Sequence, residues 1–380
     1  MNLIKKFVGL GLAAAMLLGA TGCNVVTPAT VGSIGGVEIP AGIYLLSQYN
    51  AYSTASSLAD LATGETASDV KAVLKAECTG TIGDEEVTAT GEEYVAKLTL
   101  RNLQYYAAVE QTFDELGGVL DDTATSEAAS TADSLWESNG DVYQANGIGK
   151  STIEKYQLTA KKAAACLDLI YGENGTEPVS DEEYRDYIAN DCYYIESIQF
   201  PVMDYTTYSL ATDDQNAAIS ALADQCIEEL NAATAETSIQ EGYLNLYSAA
   251  ANYLPQVFSE LGTTMDTSQL SYYVGSQLYT LDDLSSFQSG DDNAMVDALE
   301  AVEPGTWTKV NNGTAYLLVR AIDPMEYYTL DELKTNFNLL TSMKSDELQD
   351  RFYELGASME QALDQGAMNT YKASKIKWTV

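Results

Sequence analysis

The sequence predicts an α+β fold, mainly helical, on three observations. Apolar residues recur at helical spacing over long runs, as in Leu98, Tyr105, Val109, Phe113 and Leu116. Ser180, Thr212 and Thr329 each stand three residues before a Glu or Gln, the spacing of a capping box that starts a helix. Tyr193 to Val202 reads as a strand, and Asn311-Asn312-Gly313 between two apolar runs reads as a hairpin turn.

Taken in order, residues 1–22 carry the marks of an export signal: Lys5 and Lys6, then the uncharged apolar stretch Phe7 to Leu18, then Ala20-Thr21-Gly22. That stretch is too short to span a bilayer. The run Leu18-Gly19-Ala20-Thr21-Gly22-Cys23 resembles a bacterial lipobox, with Ala20 where Leu is commoner, which implies a mature chain that begins at a lipid-bearing Cys23. Residues 23–30 read as a short tether. No second long uncharged apolar stretch follows, so the lipid would be the only membrane anchor.

Val31 to Ile34, Gly35-Gly36 and Val37 to Ile39 then read as two strands around a tight turn, closed by Pro40. A helix is expected to begin near Ile43, before a Ser/Thr/Ala-rich stretch from Ser53 to Ser68, and a stronger one spans Tyr94 to Leu116, ended by Gly117-Gly118. Another carries Leu135 and Trp136, with turns expected at 138–140 and 146–149. Ser151 opens a helix through Ile170, and Ser180 a short one. After the strand at 193–202, Thr212 opens a helix with Ile219, Leu222, Cys226 and Leu230 on one face. A Tyr/Ala-rich helical stretch, a strand at 271–274, a helix at 293–302 and the hairpin Thr306–Val310 with Thr314–Ile322 complete the middle of the chain. Beyond Pro324 the chain returns to helix, and Leu348, Phe352, Leu355, Met359 and Leu363 form one apolar face.

Composition narrows the chemistry. With 19 Lys+Arg against 56 Asp+Glu the net charge is −37, and such a chain repels phosphates, so no nucleic-acid partner is expected. The absence of histidine removes the commonest general base and metal ligand. Cys78, Cys166, Cys192 and Cys226 show no metal-ligand spacing and read as small buried thiols. Asp121-Asp122, Asp213-Asp214 and Asp291-Asp292 lack the rest of a calcium loop and read as turns and helix starts. No phosphate-binding loop is present, and no catalytic residue, metal or cofactor is expected.

Several motifs, in order, resemble the extracytoplasmic foldase lipoproteins and the related SurA-type chaperones, which join a helical chaperone module to a parvulin-like peptidyl-prolyl isomerase domain. Ile34-Gly35-Gly36-Val37-Glu38-Ile39 is similar to the family's first hairpin, and Val179-Ser180-Asp181-Glu182-Glu183-Tyr184 to the segment that leads into its isomerase domain. Met295 to Leu299, Pro304-Gly305 and the hairpin to Asp323 are similar to the close of a parvulin. The resemblance implies a discontinuous helical module (31–190 and 325–380) with an inserted parvulin-like α/β domain (191–324).

It further implies a bacterial, lipid-anchored, extracytoplasmic chaperone whose partners are unfolded exported polypeptides. The parvulin histidines of the first and last strands are replaced by Ser197 or Ile198 and by Tyr316 or Leu317. Isomerase activity is therefore expected to be lost, with Phe287 and Met295 as candidates for a relic of the prolyl groove. The alternatives are an active isomerase, since rotating an X-Pro bond needs neither nucleophile nor metal, or a lipoprotein that binds a solute or glycan for a transporter.

Overall fold

Gly35 and Gly36 adopt φ values of 58° and 82°, backbone that glycine enters without steric penalty, and so turn the first hairpin. The computed structural model describes residues 28–62, 64–204, 207–233, 239–286 and 294–378. The export signal, Cys23 and Phe287 lie outside these residues. The hairpin joins β1 (Thr30–Ile34) to β2 (Val37–Pro40) and leads into α1 (Ala41–Leu58). A short α2 (Val70–Lys75) precedes a second hairpin, β3 (Glu77–Ile82) with β4 (Glu85–Thr90).

Three long helices follow: α3 (Gly91–Glu115), α4 (Asp122–Ala145) and α5 (Lys150–Tyr171). Two expectations change here. The buried face of α3 is Tyr94, Val95, Leu103, Tyr106, Val109 and Phe113, while Leu98 and Tyr105 are only half-buried. The turn expected at 138–140 is absent, because α4 runs through it. Ser138 Oγ donates to the Ser134 carbonyl one turn back at 2.9 Å, so its side chain bonds within the helix instead of breaking it.

α6 (Asp181–Asp191) starts at the Ser180 capping box, and the chain then enters β5 (Cys192–Pro201). A two-residue pair, β6 (Met203–Asp204) with β7 (Ser209–Leu210), leads to α7 (Asp213–Ala232), begun by the Thr212 capping box, and to α8 (Ile239–Glu260). The strand expected at 271–274 forms later, as β8 (Val274–Thr280), because Thr267–Tyr272 is a 3-10 turn capped by Asp266. Next come α9 (Leu281–Ser286), α10 (Ala294–Glu300), β9 (Thr308–Asn311), β10 (Ala315–Ile322), α11 (Leu330–Asn336) and α12 (Leu339–Ser358).

The apolar face at the end of the chain is split. α12 stops at Ser358, and Leu363 belongs to β11 (Gln361–Leu363), which pairs antiparallel with β1 and places Leu363 opposite Gly32. α13 (Gln365–Thr370) follows, and then a 3-10 turn at Ala373–Lys375.

The fold is α+β and mainly helical, in two compact units. One comprises Met1–Asp114, Leu120–Lys161 and Phe352–Val380; the other comprises Glu115–Val119 and Lys162–Arg351. In the first, Val31, Ile34, Ile43, Leu103 and Tyr106 share a core with Ala367, and Tyr52, Val73, Tyr94 and Val95 share another with Ile376. Phe352 is buried edge-on against the Tyr105 ring, with centroids 5.6 Å apart.

The second unit is built on a four-stranded antiparallel sheet of order β8-β5-β10-β9. α7 and α8 cover one face through Ile219, Cys226, Leu246 and Leu254. Beside the sheet, α6 and α11 pack through Tyr184, Ile188, Leu330 and Leu333, and Lys334 Nζ reaches Asp181 at 2.5 Å. All four described cysteines are free thiols; Cys78, Cys166 and Cys226 are buried and Cys192 is half-buried.

Candidate functional site

β5 is the hub of the site because it is hydrogen-bonded on both edges and covered on both faces. Side chains alternate along a strand, so Ile198 and Phe200 turn toward α7 and α8, while Ile195, Ser197 and Gln199 turn the other way. On β10 the same rule sends Tyr316 and Leu318 into the α7/α8 core and Leu317 and Val319 to the opposite face. Pairing is in register, with Ser197 opposite Val319 and Gln199 opposite Leu317. Ser197 and Leu317 are therefore diagonal neighbours on one face, roughly 7–8 Å apart.

That face lines a cavity of about 250 Å³. Its walls include Ile195, Leu284, Met295, Leu317 and Val319, with Ser197, Gln199, Tyr273 and Asn312 as polar members and Tyr272 beside them. Tyr272 is 78% exposed, so an aromatic ring stands open to solvent where the cavity begins. Gly275 lies directly across from Ser197 in the ladder, and the lack of a side chain there leaves the serine hydroxyl uncovered from that strand. Met295 is buried in the small core of this face with Ile195, Leu284, Leu299 and Val319.

Of the paired positions singled out from the sequence on the first and last strands, alternation places one of each pair at the cavity. Ser197 and Leu317 face the cavity; Ile198 and Tyr316 lie in the core on the other side. The described lining residues carry apolar, hydroxyl or amide side chains, and those that ionise are tyrosines. Burial, with the Asp283 charge behind it, pushes the Tyr279 phenol above its usual range, so it stays protonated at neutral pH. The cavity offers an apolar surface with a few hydroxyl and amide groups.

Across the sheet, Glu196 is 4% exposed and accepts a 2.6 Å hydrogen bond from Arg320 Nε. The guanidinium also lies 5.3 Å from the Trp307 ring. The pair sits directly opposite in the β5/β10 ladder and anchors the register that sets the cavity wall.

Asn312 is spoken for by the hairpin, since its Oδ1 accepts from the Thr314 and Ala315 backbone N–H groups. Gln199 and Leu284 join the site with no motif in the sequence to mark them, as do Tyr272 and Tyr273, which the sequence places only in an expected strand. The period-2 pattern of β5 carries the signal for Gln199; the others come from segments whose approach depends on tertiary packing. Among the acidic pairs, Asp121 caps α4 and Asp213-Asp214 fill the first turn of α7, while Asp291-Asp292 lie outside the described residues. Among the described residues no cluster of three His, Cys, Asp or Glu could hold a metal, and no helix is long and apolar enough to cross a membrane.

No family model and no curated protein matches this chain. Among solved structures it is similar to foldase protein PrsA from Streptococcus pneumoniae, at 13% identity and a TM-score of 0.35, over 78% of this chain and 98% of that one. Peptidylprolyl isomerase (PrsA) from Bacillus cereus is similar at 15% identity and a TM-score of 0.27, over 78% and 97% of the two chains. PrsA from Bacillus subtilis is similar at 13% identity and a TM-score of 0.25, over 79% and 91%.

Proposed function

We propose that this chain is a lipid-anchored, extracytoplasmic chaperone of the foldase kind, which holds unfolded exported polypeptides and has lost prolyl isomerase chemistry. Cys23 carries the lipid. Residues 191–324 act as an inserted parvulin-like domain within a helical module formed by 31–190 and 325–380, and Met295 with Phe287 belongs to its former prolyl groove.

One observation carries the reading. Ser197 and Leu317, one from each pair of positions at which the resemblance implies a histidine, line one largely apolar cavity. Such a cavity can hold a client segment, with the exposed Tyr272 ring offering an apolar face and a wet tip. The order of the first hairpin, the Ser180 capping box and the closing hairpin along the chain supports the same assignment.

Titration with unfolded chains of matched length and opposite net charge tests it. The net charge of −37 predicts tighter binding of the basic chain, weakened by salt because exposed charges are screened beyond about 8–10 Å at physiological ionic strength. A proline-peptide isomerisation assay should run at the buffer rate. Failure to bind either chain, with a sharp thermal stabilisation by one sugar or amino acid, would replace this function with solute binding. Turnover that Met295→Ala abolishes would restore the isomerase.

A further inference from the structure

The four-stranded sheet of the second unit has two edges, β8 and β9. β9 is four residues long and carries Lys309, whose ammonium pairs with Asp224 at 2.5 Å, so it is short and charged in the way that keeps an edge from pairing. β8 has neither defence. Its seven residues include no charge and no proline, in a chain that is 20% charged.

One hydrogen bond sets the phase of this strand. Gln199 N donates to the Tyr273 carbonyl at 2.8 Å, and bonded pairs alternate with unbonded ones along an antiparallel ladder. In the observed register Ser197/Gly275 and Ile195/Gln277 therefore exchange bonds, while Val274, Ser276 and Leu278 turn their N–H and C=O groups away from β5. The next outward N–H, that of Thr280, is bonded to the Asp283 carboxylate at 2.9 Å. Ser276 and Gln277 are exposed, and among the described residues no second strand pairs with this edge. The edge also borders the cavity beside β5 and β10, which Gly275 and Tyr279 help to line. A Cβ on Gly275 would meet the Ser197 hydroxyl at 3.7 Å, an ordinary contact, so a neighbouring side chain has room to lean over the glycine.

We propose that β8 takes an extended client segment as an added strand, with the client backbone bonded to Ser276 and Leu278 and alternate apolar side chains turned to the cavity face. This mode of capture rests on the client-holding function above and gives it a chemistry: an uncharged, β-prone stretch flanked by basic residues. Backbone bonding is indifferent to side-chain identity, which suits clients of many sequences. A second copy of this chain is the poorer occupant, since two bodies of net charge −37 repel and a basic segment is attracted. Side chains alternate along the added strand. Client residues that face the cavity therefore stand opposite Gly275 and Gln277 in unbonded pairs, and those between them make the bonds to β8.

The test uses the purified full chain and the blocked peptide Lys-Thr-Val-Thr-Val-Thr-Val-Lys, followed by amide hydrogen exchange resolved by NMR. In the free protein the Ser276 and Leu278 amides should exchange fast and the Gly275 and Gln277 amides slowly; saturating peptide should slow the first two by about tenfold or more. N-methylation of the three threonines removes the donors that meet β8 and should weaken binding by about tenfold, whereas N-methylation of the three valines should be tolerated. Ser276→Pro removes an outward N–H without touching the β5 ladder and should weaken the parent peptide in the same measure. A threonine-methylated peptide that binds as the parent does, or Ser276 and Leu278 amides whose exchange the peptide leaves unchanged, would overturn the added strand. Slowing of those amides with protein concentration in the absence of peptide would also overturn it, by marking a second copy as the occupant. If wild type then still suppresses client aggregation, the client-holding function stands and only the edge falls. If the peptide adds to β8 while wild type holds no client, the edge stands and the chaperone function falls.

Discussion

Arg320 shows how one residue can govern the site without touching it. Its guanidinium neutralises Glu196, which is 4% exposed on the face of β5 opposite the cavity. Removing one partner of a buried pair leaves an uncompensated charge, so Arg320→Leu is expected to destabilise the protein by about 3–5 kcal/mol in denaturant unfolding. The double variant Glu196→Gln with Arg320→Met should recover most of the loss, because the orphaned charge is gone. The thiols give a second expectation at this scale. Burial pushes Cys166 up to about 11 and Cys192 and Cys226 to about 12, and raises Cys78 as well. Thiolate is the reactive form, so peptide mapping after iodoacetamide treatment at pH 8 should find all four unmodified in the native protein and modified after denaturation. The absence of histidine and the choice of Ser or Ile at 197–198 are readable from sequence, but which of two adjacent residues faces the cavity is not. That depends on the pairing of β5 with β10, more than a hundred residues away along the chain.

Elements that organise themselves locally were the legible ones. The capping boxes at Ser180, Thr212 and Thr329 form as their spacing predicts, and so do the Gly-Gly and Asn-Gly hairpins. β11 is different: three residues long, it exists only because β1 offers an edge, and no local pattern reports that contact. The β3/β4 hairpin leaves little trace in the sequence because its strands mix Glu, Thr and Gly with few apolar residues.

Two tests belong to elements. Gly356 on α12 has no room for a side chain, since a Cβ there would lie 2.4 Å from the Gln104 carbonyl oxygen of α3. Gly356→Ala should therefore destabilise the protein by about 1–3 kcal/mol, although alanine is the better helix former. The second test uses the capping boxes. The Ser180 backbone N–H and hydroxyl hold the Glu183 carboxyl below its usual range, and Thr329 does the same for Glu332. Groups with depressed folded pKa values contribute stability that is present above the unfolded value of about 4.3 and is lost as pH falls through the folded value. The melting-temperature gap between wild type and Glu183→Gln with Glu332→Gln should be largest near pH 6 and close toward pH 3. Relief of like-charge repulsion on acidification is nearly common to both proteins, so the gap isolates the caps.

For the whole molecule, net charge bears most directly on the proposed client-holding function. A chain of net charge −37 tethered by its N-terminus would stand off an anionic membrane and meet basic or neutral clients more readily than acidic ones. The cavity beside β5 and β10 and the one between α1, α3 and the C-terminal segment offer partly apolar surfaces, one in each compact unit. The sequence carries no phosphate loop that would couple binding to nucleotide hydrolysis. The proposed holding would then be passive and governed by mass action. The most direct measurement is light scattering from a chemically unfolded basic client diluted into buffer with and without the purified protein, in the absence of nucleotide. Suppression that rises with protein concentration and weakens with salt is the expected result. Scattering that follows the buffer curve at every protein concentration would contradict the chaperone account.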